Sequence, residues 1–377
     1  MTVVVPQSVD EPNRRVECAH SSLPEIGYYT LAGAAEQPRD LIAEAHQAEA
    51  LGIGHCFVSE RFNTKEAAAI CGAVGAVTNR LQITTAATNH NTRHPIVTAS
   101  FATTMHRLTN GRFTLGIGRG VPAVQKAFGI PPVTTAQMEQ FARLMRRLFR
   151  GEAVQGYASN GVAHPVLMLD PSFDENVGLA MVAFGPKSLE LAGRCFDRVV
   201  LHTFFTQETL RRAVDTVRDS AERAGRDPDE IEVWSCLATV GDHLGSEAIL
   251  RKTVARLATY LQAYGDLLVQ TNDWDPAVLV RFRADPTVQS FYEGGSMRVI
   301  DSAATSVETL EKIAELLPAE WLSASATGTP LDCARAVQGE LAVGASGVIM
   351  HGATPSELAP IIQRYRQERI ETSAKCC

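Results

Sequence analysis

Residues 81–118 read LQITTAATNHNTRHPIVTASFATTMHRLTNGRFTLGIG. A short apolar run, LQITTAA (81–87), gives way to a polar stretch, then to the helix-length segment PIVTASFATTMHRLTNG (95–111), then to a second apolar run, RFTLGIG (112–118). Two such runs separated by a helix suit neighbouring parallel strands, whose crossover needs about a dozen residues or more. Pro95 suits the first turn of that helix and disfavours helical backbone before it.

The same unit repeats in both directions. Upstream, IGYYTLAG (26–33) reads as a strand. It leads into PRDLIAEAHQAEALG (38–52), where Leu41, Ala45, Ala48 and Leu51 fall at helical spacing; HCFVSER (55–61) then leads into KEAAAICGAVGAVTN (65–79). Downstream, TTAQMEQFARLMRRLFRG (134–151) completes the fourth unit. VGLAMVAF (177–184), RVVLHTF (198–204), IEVWSCLATV (231–240) and SGVIMHG (346–352) then each open a strand that helix follows. Eight strands, each followed by helix, predict an α/β fold, a (β/α)8 TIM barrel with insertions. The rival is a doubly wound open sheet, but no GxGxxG opens a helix after the first strand, which disfavours a dinucleotide-binding domain. The expected organisation is a tail over 1–24, a single barrel domain over 25–371 with insertions at 152–176 and 242–330, and a second tail over 372–377. The later insertion carries helical patterns such as ILRKTVARLATYLQAYGDLL (249–268) and either caps the site or forms a subunit contact.

Composition narrows the function classes. The chain has 377 residues, 45% of them apolar, and a net charge of -7. Its longest basic cluster, RLMRRLFR (143–150), shares a helix with Leu144, Met145, Leu148 and Phe149, so it reads as a solvated helix face and argues against a nucleic-acid partner. No apolar run reaches membrane-spanning length and the first residues lack the order of a signal peptide, so no membrane role and a cytoplasmic location are expected. The eight cysteines are scattered without a CxxC and are read as small core residues or exposed thiols.

Chemistry in such barrels gathers at the C-terminal ends of the strands. Glu60 and Arg61 end strand two, Thr88 to His94 follow strand three, and Arg119 follows strand four. A metal site at TNHNTRHP (88–95) would need an HxH and further ligands on later strand ends, and the chain contains no HxH. His202 and His351 stand on later strands without ligand spacing, so no metal is expected. A helix start accounts for Pro95 but leaves Asn89, His90 and Arg93 unexplained. GPKS (185–188) stands between strand five and its helix, where backbone N–H groups, a permissive Gly185 and the donors of Lys187 and Ser188 suit either a phosphate or an ordinary helix cap.

TNHNTRHP followed by TMHRLTNGRFTLGIGRG (104–120) resembles the bacterial luciferase-like superfamily. TN-x-x-TRHP resembles in particular the branch that uses the deazaflavin coenzyme F420. VSERF (58–62), AFGPKSLELAGRCFD (183–197) and GTPLDCARAVQGELAVGASGVIM (328–350) follow in the family's order. The resemblance implies a non-proline cis peptide at Ala86-Ala87, forming a bulge behind the deazaflavin ring, with Thr88 and Asn89 at the ring's polar edge. It implies a cofactor phosphate at Gly185, Pro186, Lys187 and Ser188. Gly118 would let the chain turn beneath the ring, and Arg119 either faces the cofactor and its oligoglutamate tail or forms a structural salt bridge. The family usually carries Val or Ile where this chain has Ala87.

Family members that oxidise alcohols have an acidic residue and then a histidine at the end of strand two; here those places hold Glu60 and Arg61. Arginine stays protonated, so Arg61 is expected to pair an anionic or carbonyl group, while Glu60 transfers a proton or forms a plain internal ion pair with Arg61. His90 is either a catalytic group or a satisfied structural histidine. The resemblance thus implies an F420-dependent oxidoreductase acting on a small organic molecule, and a homodimer. An FMN-dependent monooxygenase of the same fold and a non-catalytic flavin-binding barrel are the alternatives.

Overall fold

A ring of eight parallel strands forms the centre of the computed structural model, which describes residues 22–32, 37–62, 64–159, 161–295 and 298–375. β1 (Leu23–Tyr29), β2 (Ile53–Val58), β3 (Gln82–Thr85) and β4 (Phe113–Ile117) alternate with α1 (Leu41–Ala50), α2 (Ala67–Val77) and α3 (Pro95–Leu108). A short α4 (Pro122–Ala127), then α5 (Thr135–Phe149), lead into an antiparallel hairpin, β5 (Val154–Ser159) and β6 (Val162–Leu167). The ring resumes with β7 (Gly178–Ala183), α6 (Pro186–Cys195), β8 (Arg198–Leu201), α7 (Gln207–Arg223) and the ten-residue β9 (Glu232–Gly241).

The connection from β9 back to the ring is long. It contains α8 (Ser246–Ile249), a π-helical turn over Leu250–Val254, α9 (Ala255–Thr271), α10 (Pro276–Ala284), α11 (Pro286–Gln289), α12 (Val307–Ala314), α13 (Ala319–Leu322), a ninth parallel strand β10 (Ser325–Gly328), and α14 (Pro330–Ala342). β11 (Gly347–His351) and α15 (Pro355–Lys375) finish the chain. β11 pairs with both β9 and β1, and β8 pairs with β9, so the sheet closes in the order β1, β2, β3, β4, β7, β8, β9, β11. All eight predicted barrel strands are present, and the fold is a (β/α)8 barrel.

Sequence reading missed two features. The stretch 152–176, rich in Gly, Pro and Asn, holds the β5–β6 hairpin, and β10 extends the sheet along the upper part of β9, from Ala238 to Gly241. Boundaries moved as well: β1 starts at Leu23, inside the expected tail, and α15 continues to Lys375, into the expected C-terminal tail. Residues 1–21, with Cys18, and the pair Cys376 and Cys377 lie outside the described residues.

Three apolar clusters follow from the topology. The largest lies between the strands and their outer helices and includes the inner faces of α5 and α7. Within the ring, Tyr29, Phe57, Ala86, Val200, Trp234, Cys236 and Ile349 form a second. Beneath it is a polar plug: Arg198 binds Glu232 at 2.7 Å and Thr84 at 2.5 Å, and His55 packs on Trp234 with ring centroids 4.3 Å apart. The third cluster belongs to the long β9–β11 connection, where Trp274 stacks on Trp321 at 4.5 Å and α9, α10 and α12 converge. That segment has a core of its own, seated over the C-terminal end of the barrel. No helix among the described residues is long and apolar enough to cross a membrane.

Candidate functional site

The wall of the barrel mouth is built where β3 ends. The Ala86-Ala87 peptide bond is cis, at the position the family resemblance implied. The backbone around it is pinned from both sides: Ala86 N–H donates to the Val58 carbonyl at 2.7 Å, Glu60 N–H to the Ala87 carbonyl at 3.0 Å, and Thr88 N–H to the Gly116 carbonyl at 3.0 Å. Gly118 faces the bulge, and a Cβ there would stand 2.9 Å from the Ala87 Cβ, inside any normal contact. Ala87 remains half-exposed although its neighbours Ala86 and Thr88 are buried, so its methyl group borders open space at the mouth.

Behind this wall lies an ionic clamp. The Glu60 carboxylate accepts from Ala67 N–H at 2.9 Å, from the Thr88 hydroxyl at 2.9 Å and from the Arg93 guanidinium at 2.8 Å. Arg93 also contacts Thr88 Oγ1 and the Glu66 carboxylate. The clamp gives Arg93 its purpose, holding β2, the bulge and the start of α2 together. It also sets the surroundings of two expected site residues. Three donors occupy the Glu60 carboxylate, and Thr88 is fully buried with its hydroxyl between Glu60 and Arg93.

Asn89 donates its amide to the Gly118 carbonyl at 2.9 Å, tying the β3 loop to the β4 loop. His90 turns away from the mouth, with its ring 4.6 Å from that of Phe141 in α5 and its Nδ1 buried without a hydrogen-bond partner. Burial pushes its pKa down to about 4, which keeps it neutral near pH 7. His90 is thus packed into the wall, but with Nδ1 unpartnered it is not the satisfied histidine of the structural alternative. Arg119 donates to Thr135 Oγ1 at 2.5 Å and approaches Met138 Sδ at 3.4 Å; no carboxylate among the described residues bridges it, so the expected salt bridge is absent there.

Gly185 is the N-cap of α6, Pro186 and Lys187 are exposed in its first turn, and Ser188 N–H returns to the Gly185 carbonyl at 2.9 Å. A cavity of about 510 Å³ opens beside this turn, between α6, α7 and α9, lined by Phe184, Pro186, Leu189, Phe205, Arg212 and Leu267 among others. The other side of Phe184 faces the mouth, where it stacks on His202 with ring centroids 4.3 Å apart and planes 5° from parallel. Cavity and mouth are thus separated by one aromatic ring.

The residues that roof the mouth escaped sequence reading. One face of α9 presents Arg256, Tyr260 and Tyr264 at four-residue spacing to the strand ends below. Tyr260 and Tyr264 meet the His202 ring edge-on at 4.6 Å and 5.4 Å. Arg256 reaches His351 Nδ1 at 2.9 Å, and His351 in turn meets Tyr29 edge-on at 5.1 Å. Arg61 enters the same arc, where burial, then the like charge of Arg256, lower its pKa from the ordinary value. His202 Nδ1 donates to its neighbour's carbonyl, Thr203 O, at 3.0 Å, and burial pushes the ring's pKa down to about 4. The spacing Arg256-x3-Tyr260-x3-Tyr264 was visible in the sequence; its direction was not, because nothing local shows that α9 lies over the barrel. Among the described residues no group of three or more His, Cys, Asp or Glu side chains gathers at metal-binding distance.

The mouth therefore combines a bulged, backbone-pinned wall with an aromatic and cationic roof. A 5,10-methylenetetrahydromethanopterin reductase of Methanolobus tindarius is 28% identical over 240 residues, covering 62% of this chain and 71% of the relative. A phthiodiolone/phenolphthiodiolone dimycocerosates ketoreductase of Mycobacterium bovis is 31% identical over 190 residues, 48% of this chain and 49% of that protein, so the match spans about half the relative's length. Among solved structures, a coenzyme F420 dependent tetrahydromethanopterin reductase from Methanopyrus kandleri superposes with a TM-score of 0.74 at 18% identity, covering 91% of this chain and 99% of its own. That likeness is one of fold. The family described as luciferase-like monooxygenase matches residues 17–346, nearly the whole barrel, and the chain belongs to that family.

Proposed function

We propose that the protein is a coenzyme F420-dependent oxidoreductase acting on a small organic alcohol, carbonyl compound or activated double bond. The observation that supports this most is the wall after β3, pinned to β2 and β4 and faced by the Cβ-free Gly118, a cradle that a larger residue at 118 would fill. A deazaflavin supplies hydride transfer at C5 and reacts poorly with oxygen.

The chain's own residues then divide the work. Ala86 and Ala87 back the planar ring, Gly118 keeps the space beneath it clear, and the clamp of Glu60, Arg93 and Thr88 holds the wall rigid. The first turn of α6, with Gly185 at its N-cap and Lys187 and Ser188 as donors, would hold the cofactor's phosphate. Tyr260 and Tyr264 exclude water from above. For an alcohol substrate, the hydroxyl proton lost as the hydride leaves would pass to His202: with Nδ1–H committed to the Thr203 carbonyl, Nε2 of the neutral ring would be its acceptor. Its pKa of about 4 keeps that nitrogen unprotonated near pH 7.

Fluorescence titration of the full chain with F420 and with FMN at matched ionic strength tests the cofactor. Micromolar or tighter F420 binding with little for FMN is expected. Preference for FMN would move the protein to a monooxygenase reading, and tight F420 binding without turnover across a substrate panel would leave a carrier. Binding of neither would sink the reading altogether.

A further inference from the structure

Along β9, Trp234 and Cys236 point into the ring, so Ser235 and Leu237 face the outer helices. On that outer side, between the start of α7, the start of β10 and α14, is a cavity of about 220 Å³ lined by Glu340. Glu340 is 5% exposed and accepts one hydrogen bond, from the Ser235 hydroxyl at 2.5 Å; no cation among the described residues pairs with it. Burial pushes its pKa up to about 7, as befits a carboxylate without a counter-ion. The rest of the polar lining offers acceptors. Ser323 and Ser325 commit their hydroxyl protons to the Glu320 and Leu322 carbonyls at 2.8 Å and 2.5 Å, and Thr206 donates to Thr209 Oγ1 at 3.0 Å, so these oxygens can only accept from a ligand. Among the described residues no lysine, arginine or histidine lines the cavity, and Phe205, Leu237, Ala324 and Ala336 give it an apolar wall.

We propose that this cavity binds a small primary alkylammonium ion, its ammonium group on the Glu340 carboxylate and its alkyl chain against Phe205 and Leu237. An ammonium group brings three N–H donors and one positive charge, which the acceptor-lined, anionic cavity lacks. An alkali ion would leave the apolar wall without a partner, and an anion would meet Glu340. Pockets for drug-sized ligands start at about 300 Å³, so the occupant is small. β9 stands between this cavity and the interior of the ring, so occupancy needs neither cofactor nor turnover.

Thermal unfolding of the full chain at pH 8, above the Glu340 pKa of about 7, tests the site in n-butylammonium, tetramethylammonium, potassium and sodium chloride at constant ionic strength. Relative to sodium, n-butylammonium is expected to raise the Tm of the wild type with a saturable dependence on concentration, through preferential binding to the folded state. Tetramethylammonium, of equal charge but without N–H donors, should not. Glu340→Gln should weaken the binding at least tenfold. Ala336→Leu fills the cavity while keeping the carboxylate, so it should abolish the binding, and it decides the matter should Glu340→Gln fail to fold. An undiminished response in either variant would overturn the site, as would no rise in the wild type. An equal rise with tetramethylammonium or with potassium would also overturn it, since the effect would then be one of charge alone or of a metal ion.

Discussion

Arg93 donates to Glu60 at 2.8 Å, and the carboxylate it reaches is only 1% exposed. Two strands, the bulge and the start of α2 meet at this pair, so its loss is felt beyond the pair itself. Removing the arginine leaves a buried anion with neutral donors alone, which costs about 3 to 5 kcal/mol in comparable pairs. Arg93→Met is therefore expected to lower the urea midpoint by that equivalent, and Glu60→Gln in the same chain should recover part of the loss. An unchanged midpoint in Arg93→Met would show that the clamp is not a structural element.

Gly118→Ala places a methyl group 2.9 Å from the Ala87 Cβ, and both belong to pinned backbone. Overpacking of this kind costs about 1 to 3 kcal/mol. F420 affinity should fall at least tenfold as the bulge is pushed into the mouth, and Ala87→Gly in the same chain should restore most of it. Retained affinity in Gly118→Ala would place the ring elsewhere.

His202→Gln keeps a polar side chain beneath Tyr260 but removes the imidazole base. With a substrate that turns over, kcat is expected to drop about 100-fold or more, as for loss of a general base, while the Kd for F420 changes little. A fall in F420 affinity with kcat preserved would reassign His202 to cofactor packing.

Two buried groups give stability an opposed pH dependence. Burial pushes Glu340 up from 4.5 to about 7, so the fold holds a proton that the unfolded chain releases; this contribution is whole below 4.5 and is lost as pH rises through 7. Burial lowers His90 from 6.5 to about 4, so the unfolded chain takes up a proton that the fold refuses; its contribution is whole above 6.5 and is lost as pH falls toward 4. Glu340→Gln should therefore gain on the wild type between pH 5 and pH 8 in urea midpoint, and His90→Gln should gain between pH 7 and pH 4.5. A pH-independent difference for either variant would refute its assignment.

The fold was legible because each barrel strand is an apolar run bounded by turn residues, and each outer helix repeats its apolar positions every three or four residues. The β5–β6 hairpin was hidden by exposed positions along both strands, and β10 by its length of four residues. At the site, TNHNTRHP marked the loop that follows β3 and its cis peptide, but the partners of its side chains were not legible. A one-dimensional pattern shows that Arg93 and Glu60 exist, not that they meet across 33 positions, and it cannot show that His90 turns toward Phe141. The roof was least legible, since Arg256, Tyr260 and Tyr264 acquire their role from where the connection folds back.

That connection, with its own Trp274–Trp321 core, carries the roof on one uninterrupted length of chain. The barrel's closure, the bulge and the α6 turn are encoded elsewhere. Exchange of that single stretch of gene would therefore replace the roof alone and leave the β3 wall and the α6 turn unaltered.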